Sequence, residues 1–265
     1  MPYANSHGVR IHYEVEGKGP QLLLVHGLFD SLEGWYEAGY VDSLKRDYQL
    51  VLMDMRGHGA SDKPHNPEMY RFELLATDPV AVLDKLQVSK THFLGYSMGG
   101  RIGFGAAKYA SNRFNSFILG GTTPSNINQP FTDSCLRMLR LARAHQILRK
   151  EKNAIIAYVK KELRMRTTPQ LEARWVTNDT KALAAFLTGS QWGKGLEDTL
   201  QTMNMPCLVY CGEGDDNYSS AKKWVEIMPN ATFVSIPGLG HIETLLRSDL
   251  VLPHITKFLE KANRT

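Results

Sequence analysis

The sequence predicts an α/β fold: a mostly parallel central sheet with an antiparallel hairpin at its N-terminal edge and one inserted helical segment. Short continuous apolar runs alternate with longer amphipathic stretches, a pattern typical of parallel strands joined by helices. The alternation breaks once, between residues 122 and 195, where only helical patterns occur. A chain of 265 residues suffices for one large domain, so we divide it into a core, residues 1–121 and 196–265, and an insertion, residues 122–195.

The N-terminal hairpin is predicted from residues 9–15, where Val-Arg-Ile-His-Tyr-Glu-Val alternates apolar and polar side chains as a half-exposed strand does. Residues 16–20, Glu-Gly-Lys-Gly-Pro, supply turn chemistry before the next apolar run, so we expect the hairpin to turn there. Six further apolar runs suit strands that are buried on both faces of a parallel sheet. They are residues 22–25, 49–53, 91–94, 116–119, 207–211 and 232–236.

Helical patterns occupy the stretches between these strands. In the core they cover residues 72–86, 98–110, 219–228 and 245–261. In the insertion the apolar residues at helical spacing are Leu136, Leu139, Ile147, Leu148, Ile155, Ile156, Val159 and Leu163. The insertion is therefore predicted to be helical throughout.

The formal net charge of +4 is small for this length and indicates no particular partner. It is unevenly distributed, because residues 122–195 hold 13 Lys and Arg against 5 Asp and Glu, a charge of +8, which leaves −4 on the rest. Two interpretations stay open. The basic side chains either meet an anionic substrate, such as a carboxylate or a coenzyme A ester, or lie on solvated helix faces.

Composition also bears on location and partners. The longest apolar run is far shorter than the roughly 20 residues of a membrane span, and residues 1–7 lack the features of a secretory signal. Cys207 and Cys211, if they share a strand, lie about 13 Å apart, too far for a disulfide, and free thiols fit a reducing compartment. We expect a cytoplasmic protein with a small-molecule substrate, no nucleic-acid partner and no membrane span; the oligomeric state is left open.

A candidate nucleophile lies in Gly95–Gly99, Gly-Tyr-Ser-Met-Gly, between a predicted strand and a predicted helix. A serine on such a tight turn has its hydroxyl raised at the end of the strand, and the flanking glycines avoid clashes. The same pattern also fits an ordinary glycine-rich turn. Small residues that let the next helix pack closely on the sheet favour the nucleophile, Ser97; they are Gly100, Gly103, Gly105, Ala106 and Ala107.

A serine with an ordinary pKa needs a general base nearby and an acid behind that base. His241 lies in a glycine-rich loop after the last predicted strand, and Asp215 follows the strand before it. Both therefore lie at the carboxyl edge of the sheet with Ser97, where ligands bind in open α/β sheets. The chain order Ser, Asp, His also fits this type of triad.

Four motifs in this order resemble those of the α/β-hydrolase superfamily, over essentially the whole chain. They are Val25-His-Gly-Leu28, Asp54-Met-Arg-Gly-His-Gly-Ala-Ser-Asp62, Gly95-Tyr-Ser-Met-Gly99, and Gly212-Glu-Gly-Asp215 with Gly240-His241. The resemblance implies that Ser97 is the nucleophile, Asp215 the acid and His241 the base. It also implies that Asp216 is the less suitable acid, because Asp215 completes the Gly-Glu-x-Asp spacing.

An oxyanion hole needs two preorganised N–H donors. One is expected at Met98, the residue after the nucleophile. The resemblance implies that the other is the N–H of Leu28, after His-Gly, and that His26 holds that loop by hydrogen bonds. It also implies that Arg56, His58 and Asp62 fix a turn rather than take part in chemistry.

The resemblance further implies that the insertion is a lid over the nucleophile. Its aromatic side chains either line an acyl pocket or pack the lid onto the core; they are Phe131, Tyr158, Trp175, Phe186 and Trp192. As substrate-binding candidates we select Tyr158 and Trp192 from the lid, with Phe29 from the loop after Leu28.

The function that this resemblance implies is hydrolysis of a carboxylic ester or lactone through an acyl-Ser97 intermediate, without a metal or cofactor. Two alternatives stay open. Residues 95–101 resemble the elbow of the menaquinone-pathway lyase, succinyl-hydroxycyclohexadiene-carboxylate synthase, which suggests a triad-dependent carbon–carbon lyase or hydrolase, although Arg101 is equally suited to the surface of its helix. A slow-turnover ligand receptor of the same fold is the third possibility.

Overall fold

An eight-stranded sheet forms the centre of the computed structural model, which describes residues 1–124, 156, 160, 166–191 and 195–264. Its strands are β1 (Tyr3–Ser6), β2 (Val9–Glu16), β3 (Gln21–Val25), β4 (Gln49–Met53), β5 (Thr91–Tyr96), β6 (Phe114–Gly120), β7 (Cys207–Gly212) and β8 (Ala231–Ile236). The spatial order is β1-β2-β4-β3-β5-β6-β7-β8. β3 to β8 are parallel to one another, whereas β1 and β2 pair antiparallel. The predicted fold class is confirmed.

Helices cover both faces of this sheet. They are α1 (Glu33–Glu37), α2 (Tyr40–Leu44), α3 (Phe72–Lys85), α4 (Met98–Ala110), α5 (Pro169–Thr177), α6 (Thr180–Gly189), α7 (Tyr218–Val225), α8 (His241–Leu246) and α9 (Ser248–Ala262). Short 3₁₀ turns span Pro67–Tyr70, Ser111–Arg113 and Glu197–Thr202. No helix among the described residues combines the length and apolarity that a membrane crossing requires.

The central strands are apolar throughout because both of their faces are buried. In β3, Leu23 and Val25 belong to the core cluster that includes α3 and α4, while Leu22 and Leu24 belong to the cluster that includes α1, α2 and α9. All four are fully buried. This two-sided burial explains why these strands were visible as continuous apolar runs.

The N-terminal hairpin is formed by a different pair of strands from the pair expected. β1 and β2 are its two strands, with Ser6 opposite Val9, and the turn between them is His7-Gly8, both with positive φ (52° and 82°). Such a two-residue turn matches the twist of a hairpin. The prediction that the hairpin turns at residues 16–20 is wrong: that segment leads to β3, whereas β2 pairs with β4. β1 was missed because its four residues are too few to show a period.

The predicted C-terminal helix, residues 245–261, is two helices. α8 begins at His241, and the chain breaks at Arg247 (φ −87°, ψ 57°) before α9. Since the helix begins at His241 itself, that side chain is held at a helix start and not in a free loop. Cys207 and Cys211 both lie in β7 as free, buried thiols, as expected.

The described part of the insertion contains α5 and α6, in agreement with its predicted helical character. α6 packs closely on the core, since a methyl group on Gly189 would lie 1.9 Å from the carbonyl oxygen of Pro67. Phe186 of the same helix contacts the rings of His58 and Tyr70. Of the residues that carried the helical prediction, only Ile156 lies among those described.

Candidate active site

Ser97 lies between β5 and α4 with a positive φ (φ 54°, ψ −111°). This conformation is strained for a non-glycine residue, and it persists only where the surroundings enforce it. Two glycines make the tight turn possible. A methyl group on Gly95 would lie 2.3 Å from the carbonyl oxygen of Gly99, and one on Gly99 would lie 2.0 Å from that of Val25. Tyr96 and Met98 are buried, while Ser97 keeps partial exposure.

His241 connects Ser97 to Asp215 by two hydrogen bonds. Its Nδ1 lies 2.6 Å from Asp215 Oδ2, and its Nε2 lies 2.9 Å from Ser97 Oγ. A carboxylate accepts hydrogen bonds, so Nδ1 carries the proton and the neutral ring turns the lone pair of Nε2 to the serine hydroxyl. The three candidate residues thus come together, although 144 residues separate Ser97 from His241.

The electrostatics of the pair favour charge on both members. Burial raises the pKa of Asp215, but the charge and hydrogen bond of His241 and the N–H of Asn217 outweigh it, so this pKa lies below its ordinary value. Burial lowers the pKa of His241, and the Asp215 carboxylate more than offsets this effect, so this pKa lies above 6.5. Asp215 is therefore ionised at neutral pH.

Asn217 and Tyr96 support this arrangement, and the sequence did not predict either. The backbone N–H of Asn217 donates to Asp215 Oδ1 at 2.9 Å, and its side-chain amide donates to the carbonyl of Gly121 at 3.1 Å. The hydroxyl of Tyr96 donates to the carbonyl of His241, and the two rings lie 5.3 Å apart. An aspartate readily accepts the backbone N–H two residues further on, so Asp215 is itself a local signal for the first contact. The contact of Tyr96 has no local signal.

The loop of residues 26–30, which we call the early loop, lies beside Ser97. A methyl group on Gly27 would lie 3.5 Å from Ser97 Cβ. His26 holds this loop: its Nδ1 donates to the carbonyl of Gly27 at 2.7 Å, and its Nε2 accepts from the N–H of Met55 at 3.1 Å. This is the role expected for His26.

Two backbone N–H groups are available near Ser97. Met98 is the first residue of α4, where an N–H has no partner within the helix. Within the described part of the chain, the N–H of Leu28 donates to no protein acceptor. Both residues are buried. The predicted oxyanion donors are thus free for a ligand.

The loop after β4 is held by buried polar contacts. Arg56 and Asp78, both fully buried, form a two-point ion pair with contacts of 2.7 and 2.5 Å. Asp54 accepts from His12 and from the N–H groups of Leu32 and Ala60. These contacts agree with a turn-fixing role for the loop.

These features can be compared with known proteins. A family model described as alpha/beta hydrolase fold matches residues 20–146, which include the early loop, the Ser97 turn and α4. The chain has the fold of the α/β-hydrolase superfamily. It is 27% identical over 274 residues to a Bacillus subtilis protein provisionally assigned as 2-succinyl-6-hydroxy-2,4-cyclohexadiene-1-carboxylate synthase, and the alignment covers 96% of each chain.

Two other proteins that this chain resembles are an enol-lactonase and an esterase by name. Over 116 residues, 43% of this chain and 42% of the relative, the chain is 35% identical to 3-oxoadipate enol-lactonase 2 of Acinetobacter baylyi. A solved structure of a thermophilic esterase from Thermogutta terrifontis superposes with a TM-score of 0.82, at 22% identity and 98% coverage of both chains. At that identity the structural likeness shows the fold alone.

Of the candidate substrate-binding residues, only Phe29 lies in the described part of the chain. Phe29 is buried against Trp175, with ring centroids 6.1 Å apart. Tyr158 and Trp192, like Phe131, lie outside the described residues. The substrate-binding roles of Phe29, Tyr158 and Trp192 stay predictions. Phe186 belongs to the core contacts of α6.

Arg101 does not lie on the surface of its helix. It is 5% exposed, and its guanidinium donates to the carbonyl of Thr123 at 2.8 Å. Burial lowers the pKa of Arg101 to about 9. The surface interpretation of Arg101 is therefore wrong: its charge is enclosed one helical turn after Ser97.

Two described arginines of the insertion pair with carboxylates of the core. The Nε of Arg174 lies 2.7 Å from Asp30, and the same guanidinium pairs with Glu37. Arg166 lies 3.4 Å from Glu243, whose carboxylate accepts the N–H of Gly240, next to His241. At Arg174, whose side chain is 15% exposed, the positive charge serves contact with the core, whereas the side chain of Arg166 is 88% exposed and lies on a solvated face.

His58 makes a testable contribution to acid stability. Burial lowers the pKa of His58 to about 3, so between pH 6.5 and about 3 the unfolded chain binds a proton that the folded protein does not. The free energy of unfolding should therefore decrease as the pH is lowered through this range, by up to about 1.4 kcal/mol per pH unit from this residue. His58→Phe keeps the ring contact with Phe186 but cannot bind a proton. The dependence of its unfolding free energy on pH should therefore be weaker, by the equivalent of up to one bound proton, as measured by urea unfolding at pH 7, 6 and 5. Identical slopes for the two proteins would contradict this account.

Proposed function

We propose that this protein hydrolyses carboxylic esters, lactones included, through an acyl-Ser97 intermediate. The observation that carries the proposal is the hydrogen-bonded series Asp215–His241–Ser97, with its distances of 2.6 and 2.9 Å. A neutral imidazole nitrogen on the hydroxyl of a strained, partly exposed serine is what nucleophilic catalysis by serine requires. The likeness to an enol-lactonase supports the substrate class.

In the first half-reaction, His241 Nε2 takes the proton of Ser97 while Oγ bonds to the acyl carbon. The carbonyl electron pair moves to oxygen, and the N–H groups of Met98 and Leu28 donate to the resulting oxyanion. A preorganised donor of this kind lowers the barrier by about 3 kcal/mol. The tetrahedral intermediate then collapses: the bond to the alkoxide breaks, and the alkoxide takes the proton from Nε2 of His241.

In the second half-reaction, water replaces the alcohol beside His241. The imidazole takes a proton from water as its oxygen bonds to the acyl carbon, and the same two N–H groups donate to the second oxyanion. Collapse breaks the bond to Oγ, and Ser97 regains its proton from Nε2. Asp215 stays ionised throughout and stabilises the imidazolium formed in each step.

Residues 122–195 are proposed to form a lid over the core of residues 1–121 and 196–265. The contacts of Arg174 with Asp30 and Glu37 support this, because they fasten α5 beside the early loop. Phe29, Tyr158 and Trp192 are the proposed acyl-pocket residues. The proposed substrate is a small ester or lactone, in a cytoplasmic protein that requires no cofactor.

A substrate panel tests the proposal. p-Nitrophenyl esters of increasing acyl length and a set of lactones, each in neutral and anionic forms, are assayed with the purified protein, and a fluorophosphonate probe reports on Ser97. We expect at least weak turnover of short neutral esters and labelling at Ser97. A protein inert toward the whole panel would refute the esterase proposal. Labelling without turnover would instead favour a slow receptor.

A carbon–carbon lyase is the second candidate function. The similarity to the provisionally assigned Bacillus subtilis synthase extends over 96% of each chain and favours it. The resemblance of residues 95–101 to the elbow of that synthase implies that His241 would act as the base that removes a proton from the substrate, followed by elimination of pyruvate. Release of pyruvate, followed with a coupled dehydrogenase, together with no ester turnover would select this candidate.

A further inference from the structure

The early loop contains a strained turn next to Ser97. The N–H of Asp30 donates to the carbonyl of Gly27 at 3.3 Å, which closes a four-residue turn, and Phe29 at its third position has φ 68°. Positive φ at this position is normally left to glycine or asparagine. A residue with a β-carbon is strained there. Leu28, whose N–H is the proposed oxyanion donor, lies directly before this strained residue.

Contacts from two directions hold the turn. On the core side, His26 donates to the carbonyl of Gly27 at 2.7 Å. On the other side, the side-chain amide of Asn178, at the end of α5, donates to the carbonyl of Phe29 at 2.7 Å. The ring of Phe29 packs edge-on against Trp175 of the same helix.

Arg174 adds a third point of attachment from α5. Its side chain is 15% exposed, and it pairs with Asp30, the last residue of the turn, and with Glu37 of α1. Burial lowers the pKa of Arg174, but the two carboxylates more than offset this, so the cation is retained. A buried charge pair of this kind resists displacement because separation would leave Asp30 uncompensated.

We propose that Asn178 is a positioning residue for catalysis, which holds the Phe29 carbonyl and thereby aims the N–H of Leu28 at the oxyanion. The inference rests on the proposed function. Without the amide of Asn178, the Phe29 carbonyl loses a hydrogen bond that opposes relaxation of Phe29 to negative φ, and such relaxation rotates the adjoining peptide and moves Leu28. The transition state loses a donor, whereas the ground-state substrate does not depend on it.

The test compares two substitutions with a matched control. Asn178→Ala removes the side chain, and Asn178→Asp keeps its shape but cannot donate. Thr177→Ala, one residue earlier, removes only a hydrogen bond to the carbonyl of Arg174 and serves as the control. For a p-nitrophenyl ester, both Asn178 variants should lower kcat about 10-fold with KM within about twofold, since loss of a whole oxyanion donor costs about 10²–10³.

A transition-state mimic separates positioning from simple support. A trifluoromethyl ketone forms an oxyanion on Ser97, so its affinity should weaken by the same factor as kcat/KM in both Asn178 variants and not in Thr177→Ala. The inference would be overturned if both Asn178 variants had the wild-type kcat and the wild-type affinity for the ketone, or if only KM changed. If the wild-type protein is itself inert and unlabelled by fluorophosphonate, the proposed function fails first and the inference falls with it.

Discussion

Replacing Ser97 with alanine is expected to lower kcat for an ester by about 10⁴-fold or more, because the loss of one triad member costs nearly as much as the loss of all three. The reason is the single hydrogen-bonded route of the proton, from Ser97 Oγ to His241 Nε2. Alanine provides no oxygen to form an acyl intermediate, and His241 then has nothing to deprotonate but water. Steady-state kinetics on the best ester of the panel, with fluorophosphonate labelling, measure the effect.

The control for this substitution is Ser111→Ala, an exposed serine that follows the other end of α4. It should keep wild-type turnover and labelling. Binding of a product acid to the Ser97→Ala protein should survive, because the side-chain loss does not alter the turn. If Ser97→Ala retained more than a tenth of the wild-type kcat, the nucleophile would have to be sought elsewhere.

The sequence was informative where burial is two-sided and the geometry is local. β3 to β7 appeared as apolar runs because both faces are covered, and the Ser97 turn was recognisable from glycines whose β-carbons would clash. His241 and Asp215 could be assigned because parallel strands end at one edge of a sheet. These features depend on neighbours within a few residues or on topology.

The remaining features depend on contacts between distant parts of the chain. Asn178 meets Phe29 across 149 residues, and Arg174 meets Asp30 across 144, with no local pattern at either end. The hairpin strand β1 was too short to show alternation, and the break at Arg247 has no proline or glycine to announce it. Such contacts are set by packing between elements, which periodicity does not report.

Asp215→Asn is expected to lower kcat by about 10⁴-fold, since an amide there favours the wrong tautomer of His241. The carboxylate accepts from Nδ1 at 2.6 Å and so leaves Nε2 free to accept the serine proton. An asparagine NH₂ donates instead, which moves the imidazole proton to Nε2, opposite Ser97. Because Asp215 is buried, no water replaces the lost charge. Steady-state kinetics on the same ester measure the loss.

The pH profile of this variant gives a second, independent readout. In the wild-type protein the base must be neutral, so kcat/KM should fall as pH drops through the His241 pKa, which Asp215 raises above 6.5. In Asp215→Asn that carboxylate is gone, and burial lowers the pKa of His241. The acid limb of the residual activity should therefore move to lower pH even as kcat falls.

Asp216→Asn is the matched control for both readouts. Asp216 is the exposed neighbour of Asp215, and its charge raises the His241 pKa less than that of Asp215 does. Its replacement should leave kcat within about threefold, because it hydrogen-bonds to neither ring nitrogen, and should shift the acid limb less than Asp215→Asn does. If Asp216→Asn produced the large loss and Asp215→Asn did not, the acid of the triad would be Asp216, and the hydrogen bond at 2.6 Å would have no catalytic meaning.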